Sequence, residues 1–508
     1  MKLKVKNNFV TLLDRHGNAI QPRGSSEPYS GAEISRLLND LPDCDYTQFS
    51  TVSMNAERLR ARARHLERNN DIVRRCLYLV EQNVIGPGGV KLVPRVTRTN
   101  NGRVEQEATN RLIAAEWDKF TRSSDIRRRY QSFRQACKLV NRRRIVDGEI
   151  FIELLPGFGN ETKFSFRLLE PYMVPMGLSD ESRRISMGIE YDKDWIPVAY
   201  FVRDKAGDET FKTEAQHKYR RVPAERILHY FSPERPHQGR GITLLASPIQ
   251  RLHMLDKYEE ATLTGARIAS SKMGFFYDDL DDDMPVPYGG SETDNTADII
   301  DPETGRPIDG DNFIDIEAGQ FEDIGTKRFT PFDPGYPPTG YDEYTTSILR
   351  SISAGLNIPY HMLAGDLRNV NYSTAREAKL DAVDAWQDLQ SQFRDAVLDP
   401  MLEEWMKIQT LRPEFRSFSS EDLPRLLKHR WQFRGWKWID PQKEAKGAEN
   451  EMRMTTKAPS QIVQERGENY EEVVDQIAKD LEYAKSRGID IMPFLYGSNE
   501  PTPNTETV

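Results

Sequence analysis

Apolar residues recur three or four positions apart from Asn55 to Val84, at Leu59, Ala63, Leu66, Val73, Leu77, Val80 and Val84, and the run stops at Gly86-Pro-Gly-Gly89. Such spacing places one apolar stripe on a single face and predicts a long amphipathic helix with a firm end. The opposite face holds Arg58, Arg62 and Arg68, which read as a solvated surface, with nucleic acid contact as the alternative. Two further helices are predicted over 104–120 and 133–145. The period then drops to two: segments 149–155, 164–169, 187–191, 197–202 and 226–231 read as strands divided by Gly, Asp and Pro turns. Residues 55–241 therefore predict one α+β domain, helices leading into a mostly antiparallel sheet. Residues 1–54 read as a flexible arm.

The next helix has a start signal in Ser247 as N-cap, Pro248 at the first helical position and Gln250 completing a capping box, with Thr243 as a start one turn earlier. Leu245, Ile249, Leu252, Leu255, Tyr258, Thr262 and Ala266 form its stripe, and Ala261, Gly265 and Ala269 form a row of small residues. Residues of that size four apart let a second helix backbone approach closely. A second helix runs from Tyr341 to about Gly355, with Tyr344, Ile348 and Ile352 on one face and Pro359 beyond its end. These two helices flank residues 273–339 as a pair of supports for an inserted module. Asp366 to Tyr372 lacks periodicity, and Thr374 with Glu377 reads as a capping box. The stripe Ala378, Ala382, Ala385, Leu389, Phe393 and Ala396 then continues to Pro400, where a kink is expected. Tyr470, Val474, Ile477, Leu481 and Ala484 mark a C-terminal helix, and residues 488–508 read as a disordered tail.

Composition changes this picture in one place. The chain has 508 residues, 38% hydrophobic and 29% charged, which fits several compact regions and no membrane span. The basic N-terminus lacks an apolar core of signal-peptide length, so a cytoplasmic product is expected. Cys44, Cys76 and Cys137 are odd in number and far apart, so no disulfide framework is indicated, and Cys76 and Cys137 read as buried hydrophobes. The net charge of −9, however, is unevenly placed. Residues 273–336 hold seventeen acids against three bases, which leaves the remainder near +5. The densest stretch is Asp278, Asp279, Asp281, Asp282 and Asp283, read as a docking module for a basic partner, with a loose solvated insertion as the bland alternative.

Catalytic and cofactor patterns are missing from the sequence. Gly86-Pro-Gly-Gly89 lacks the ending and spacing of a phosphate loop and reads as a turn. No His-Glu-x-x-His or paired Cys-x-x-Cys occurs, so no metal or other cofactor is expected. Asp147 and Glu149 have the spacing of a nuclease carboxylate pair but lack a Glu-x-Lys element, and a turn entering a strand explains them better. The aromatic run Trp431, Trp436 and Trp438, with Arg434 and Lys437, reads as packing, with base stacking as the alternative.

Gly340-Tyr-Asp-Glu-Tyr344, Leu349-Arg-Ser-Ile-Ser-Ala-Gly-Leu356 and Tyr372-Ser-Thr-Ala-Arg376 together resemble the hallmark region of bacteriophage portal proteins of the lambda type. Weaker echoes are Arg68-Asn-Asn70, Asp147-Gly-Glu-Ile-Phe-Ile152 and Trp438-Ile-Asp-Pro441. The resemblance implies a ring-forming α+β portal fold. In it, 55–241 would be the wing, 242–272 and 340–356 the two stem helices, 273–339 a small β-containing clip, 357–373 the channel-loop region, 374–412 the long wing helix and 413–487 wing and crown helices. It also implies a non-enzymatic homo-oligomer, typically of twelve copies, at one capsid vertex of the virion. Such a ring assembles in the host cytoplasm, passes double-stranded DNA, and docks terminase, capsid or scaffold protein and a head-tail adaptor. Carried onto this chain, the channel loop would present Arg368, Asn369, Val370, Asn371 and Tyr372, and the stem would pack through Ala261, Gly265 and Ala269. Carboxylates lining such a conduit would repel DNA and let it slide, whereas each phosphate held by Lys or Arg adds grip. A DNA-processing enzyme and a channel-free minor capsid or scaffold protein are the alternatives.

Overall fold

The computed structural model describes residues 2–6, 9–13, 48–96, 103–122, 124, 132–203, 218–270, 274–278, 327–331, 340–368, 370–436 and 441–488. Cys44, Lys437, Trp438 and nearly all of the predicted tail lie outside them.

The arm begins with an antiparallel ribbon, β1 (Lys2–Lys6) and β2 (Phe9–Leu13). The predicted long helix is two helices, α1 (Gln48–Asn69) and α2 (Asp71–Val80). The break falls at Asn70, whose extended backbone and side-chain oxygen, accepting from Val73 N at 3.0 Å, start α2 afresh. A π-helical turn, Glu81–Ile85, runs into Gly86 at φ 76°. Arg58, Arg62 and Arg68 are exposed, as a solvated face requires. β3 (Lys91–Pro94), α3 (Arg103–Arg122) and α4 (Phe133–Asp147) follow. Ser132 and Gln135 close a reciprocal capping box at the start of α4, satisfying two otherwise unpaired backbone donors.

The strand region forms two antiparallel sheets where the sequence pattern pointed to one. β4 (Glu149–Pro156) lies between β5 (Phe164–Leu169) and a later strand, while β6 (Ile185–Ser186), β7 (Ile189–Tyr191), β8 (Pro197–Arg203) and β9 (Tyr219–Pro223) form a meander. β10 (Ile227–Phe231) is the remaining partner of β4. Phe151, Tyr200, Ile189 and Val222 fill the space between the sheets.

α5 (Ile249–Ser270) follows a 3-10 turn that starts at Thr243, whose hydroxyl accepts from Leu245 N at 3.1 Å. Thr243, rather than Ser247, is thus the residue that caps this start, because Ser247 already has helical backbone angles. β11 (Gly274–Asp278) and β12 (Lys327–Pro331) pair antiparallel, so the chain between them enters and leaves through one closed neck. α6 (Tyr341–Leu356) and a short α7 (Tyr360–Ala364) come next. α8 (Tyr372–Phe393) passes through a π turn, Arg394–Leu398, directly into α9 (Asp399–Gln409). The kink expected at Pro400 takes this form: proline donates no N–H to the preceding turn, and widening that turn by one residue absorbs the defect.

α10 (Leu423–Leu426) leads into β13 (His429–Gln432), which pairs with β3 across more than 330 residues of sequence. The C-terminal segment thereby returns to the first helices. Trp117 of α3 meets Trp405 of α9 edge to face at 5.1 Å and Trp431 of β13 at 5.5 Å, so a single aromatic group joins all three. Trp436 stacks on Trp386 and donates Nε1–H to Asn83, which identifies this tryptophan as packing. α11 (Pro441–Arg453), α12 (Pro459–Glu465) and α13 (Tyr470–Ser486) complete the chain.

Candidate functional site

The loop between α7 and α8 is fixed from both sides. Asn357, in the left-handed region at φ 53°, ends α6, and Pro359 starts α7 two residues later. Arg75 holds the Met362 carbonyl at 3.2 Å and Arg350 lies over the Tyr360 ring, so α7 is anchored to α2 and α6. Tyr360 then donates its hydroxyl proton to Asp366 Oδ2 at 2.9 Å, and the Arg368 backbone N–H donates to Asp366 Oδ1 at 3.0 Å. The Arg368 guanidinium spans Asp366 and Asp342, with all four of its contacts at 3.1 Å. Arg368 and its backbone N–H, followed by Tyr360, hold the Asp366 carboxyl below its usual range, and the two carboxylates push Arg368 upward. The one cation of the loop is therefore already answered by two carboxylates. With an exposed side chain, its ion pairs are screened and individually weak.

Asn371 is the N-cap of α8, its side-chain oxygen accepting from Thr374 N at 2.8 Å. This displaces the expected Thr374–Glu377 capping box by one turn: Asn371 has the extended backbone a cap needs, and Thr374 is already helical. Val370 is half-buried, whereas Asn369 and the side chain of Tyr372 lie outside the described residues.

The two candidate stem helices run antiparallel. A Cβ on Gly355, near the end of α6, would lie 3.6 Å from Ser247 Oγ at the approach to α5, while Tyr258 of α5 stacks on Tyr341 and meets Tyr344 edge-on at the start of α6. Leu252, Leu255, Ile352 and Leu356 bury this base in the main core. Beyond Tyr258, α5 runs on to Ser270, roughly three further turns or about 18 Å at 1.5 Å per residue, with Leu263 exposed. Ala261 is exposed and a Cβ on Gly265 would meet nothing within 4 Å, so no other described element occupies the small-residue row. The side chain of Ala269 lies outside the described residues. Of the acidic group, Asp278 is the last residue of β11, and Asp279, Asp281, Asp282 and Asp283 also lie outside them.

Asp147 and Glu149 belong to a buried ionic knot that sequence reading missed. Glu149, fully buried, accepts from Arg240 Nε and Nη2 at 2.7–3.0 Å, from Arg60 Nη2 at 3.0 Å, from His229 Nε2 at 2.9 Å and from the Gly241 N–H at 2.9 Å. Asp147 takes a bidentate pair from Arg64 at 2.6 and 2.9 Å. Burial pushes the Glu149 carboxyl up, but Arg240 and His229 more than reverse this and hold it well below its usual value. Burial keeps His229 below its ordinary 6.5, so the neutral ring donates to Glu149. Gly148, at φ 86°, and Gly241 permit the approach: a Cβ on Gly148 would lie 2.3 Å from the Ile242 carbonyl carbon. The cluster ties α1, α4, β4 and β10 to the segment that enters α5. Both carboxylates are consumed by this role. Arg60 is buried and Arg64 half-buried on the inner side of a helix whose neighbouring Arg58 and Arg62 face outward, a difference that the tertiary structure alone reveals.

Comparison with known proteins agrees with the hallmark motifs. The family of phage portal proteins of the lambda type matches residues 45–390. A probable portal protein of Halomonas phage phiHAP-1 is 28% identical over 447 residues, 87% of this chain and 82% of its own length. Portal protein B of Escherichia phage lambda is 23% identical over 345 residues, 63% of each chain. A chain from the virion of a native gene transfer agent particle is similar over 82% of this chain and 93% of its own, at 12% identity and a TM-score of 0.42. With two-thirds of its length matched by the family, and with the hallmark residues on α6, the α7–α8 loop and the start of α8, this chain belongs to the lambda family of phage portal proteins.

Proposed function

We propose that this portal-family chain assembles into a ring, of twelve copies by analogy with its family, at one capsid vertex of the virion. In this reading it forms there a non-catalytic conduit for double-stranded DNA and docks terminase, capsid or scaffold protein and later a head-tail adaptor. Assembly would take place in the host cytoplasm. The wing is assigned to 55–241, the stem to 242–272 and 340–356, the clip to 273–339, the channel-loop region to 357–373, the long wing helix to 374–412 and the remaining wing and crown to 413–487.

The observation that carries the proposal is the antiparallel pair α5 and α6. Its base is buried in the core, Ala261 and Leu263 of its outer part are exposed, and the acid-rich segment leaves through the β11–β12 neck that follows α5. A monomer gains nothing from an exposed helix with Leu263 and an open small-residue row, whereas neighbouring copies in a ring would cover it. The apolar stripe of α13 supports the same conclusion, since Tyr470, Val474 and Ile477 are 37–43% exposed. At the loop, carboxylates answer Arg368, which suits a surface over which DNA slides. We assign Arg368, Asn369, Val370, Asn371 and Tyr372 to the approach to DNA, and Asp278, Asp279 and Asp281 to Asp283 to partner docking.

Negative-stain electron microscopy with mass measurement tests the ring: closed rings with an axial hole are expected, and particles that stay monomeric even with capsid or scaffold protein present would refute it. Arg368→Ala and Asn371→Ser particles test the loop, the serine retaining a cap oxygen for α8. Normal packaging and genome retention by both would remove the loop assignment.

A further inference from the structure

β3 and β13 form a two-stranded ribbon whose register fixes its two faces: His429 faces Pro94, Arg430 faces Val93, Trp431 faces Leu92 and Gln432 faces Lys91. Directly opposed residues share a face, and alternate residues along a strand do likewise. One face therefore carries Leu92, Pro94, His429 and Trp431, with Leu92 and Trp431 in the main core. The other carries Lys91, Arg95, Lys428 and Arg430. The Arg95 N–H donates to the Lys428 carbonyl at 2.7 Å, which extends the register to that pair. Lys91, Arg95 and Lys428 are exposed and Arg430 is half-buried.

Among the described residues none of these four cations has a carboxylate within ion-pair distance, although elsewhere the protein answers its arginines repeatedly, as at Glu67, Glu116, Asp147, Glu149 and Glu153. Glu451 and Glu465 line a groove together with Arg430 but are held by Lys457 at 3.3 and 2.8 Å. Burial, together with the charge of Arg95, lowers the affinity of Arg430 for its proton. The fold thus keeps like charges together on one surface, at a cost in stability and with no ion pair to offset it among the described residues.

We propose that this ribbon face binds the phosphate backbone of duplex DNA, as a contact separate from the α7–α8 loop. The portal reading supplies the identity of the polyanion, and the charge arrangement stands without it. Residues two apart on a strand are about 6.7 Å apart and the strands about 4.8 Å apart, so the cations form a short lattice suited to a repeating line of phosphates. A protein partner would require apolar or aromatic anchors. Besides its cations this face offers only half-buried Val93 and buried Gln432, with the ribbon's tryptophan turned inward.

The test is fluorescence anisotropy of a labelled random-sequence duplex titrated with the purified protein between about 50 and 200 mM salt. The quadruple variant K91Q/R95Q/K428Q/R430Q should bind more weakly at every salt concentration, with a log K against log [salt] slope shallower by about 3 to 4, since each phosphate contact contributes roughly 0.9. The control R58Q/R62Q/R68Q on the exposed face of α1 should keep the wild-type slope. Thermal melts separate binding from folding, because removing the Arg95–Arg430 repulsion should leave the quadruple variant at least as stable as wild type. An unchanged slope in the quadruple variant, an equal loss in the α1 control, or polyglutamate of matched charge competing as well as DNA would each overturn the proposal. Rings without ribbon-dependent DNA binding would leave the portal assignment standing and reject this one. Ribbon-dependent binding without rings would do the reverse.

Discussion

Replacing Glu149 with glutamine should destabilise the protein by about 3–5 kcal/mol, the cost of removing one partner from a buried ion pair and leaving the other charged. The side chain keeps its shape, so no cavity arises. It loses its charge and turns one acceptor oxygen into an amide donor, facing a site where every neighbour donates: Arg240, Arg60, His229 and the Gly241 N–H. Arg240 is fully buried; its other hydrogen bonds go to the carbonyls of Met187 and Pro171 and its guanidinium lies over the Phe151 ring, none of which carries a neutralising charge. At 1.4 kcal/mol per tenfold, the folded-to-unfolded ratio should fall by about two to three and a half orders of magnitude. Urea unfolding at one fixed protein concentration measures this, the concentration being held because assembly would add its own stabilisation. Adding Arg240→Gln completes a cycle: the double variant should cost less than the sum of the singles by more than about 1 kcal/mol, because the second change removes the stranded charge. A single-variant loss below about 1 kcal/mol, or strict additivity, would refute the view that this knot acts as one charge-balanced unit.

Gly148→Ala should be more damaging than Gly157→Ala. Both glycines have positive φ, worth about 1–2 kcal/mol of strain, but only at Gly148 would the new methyl lie within 2.8 Å of the backbone of Ile242 and Thr243; comparable melting temperatures for the two variants would contradict this. Stability should fall on acidification in two stages. His229 has a depressed value in the folded state, so its contribution is complete above its ordinary 6.5 and is lost as pH drops below it; Glu149, also depressed, adds its loss below about 4.5. His229→Gln should flatten only the first stage in pH-dependent denaturation, at most about 1.4 kcal/mol per pH unit. Cys76, pushed up to about 12 by burial, and Cys137, also raised by burial, should resist thiol reagents in the native protein and react after denaturation; rapid native labelling of either would place it at the surface.

What the sequence determined by itself is what neighbours within a few residues decide. Apolar spacing located α3, α4, α6 and α13, and the α+β class followed from the change of period near Glu149. The hallmark motifs around Gly340, Leu349 and Tyr372 carried the family. Local signals misplaced starts where two choices compete over one turn, as Asn371 against Thr374 and Thr243 against Ser247, and did not show the break at Asn70 or the division of the strands into two sheets. The tertiary structure decided what depends on groups distant in sequence. β3, four residues ending in a proline, is too short to announce itself and exists because β13, far along the chain, supplies its hydrogen bonds. Arg60 and Arg64 differ from Arg58 and Arg62 only in the direction they point, and that matters only once Glu149 and Asp147 arrive beneath them. Arg368 is a lone cation in its own segment and becomes a neutralised one because α6 brings Asp342 alongside. A charge acquires its physical meaning from its counter-charge, and in these cases the fold, not the local sequence, sets the distance between them.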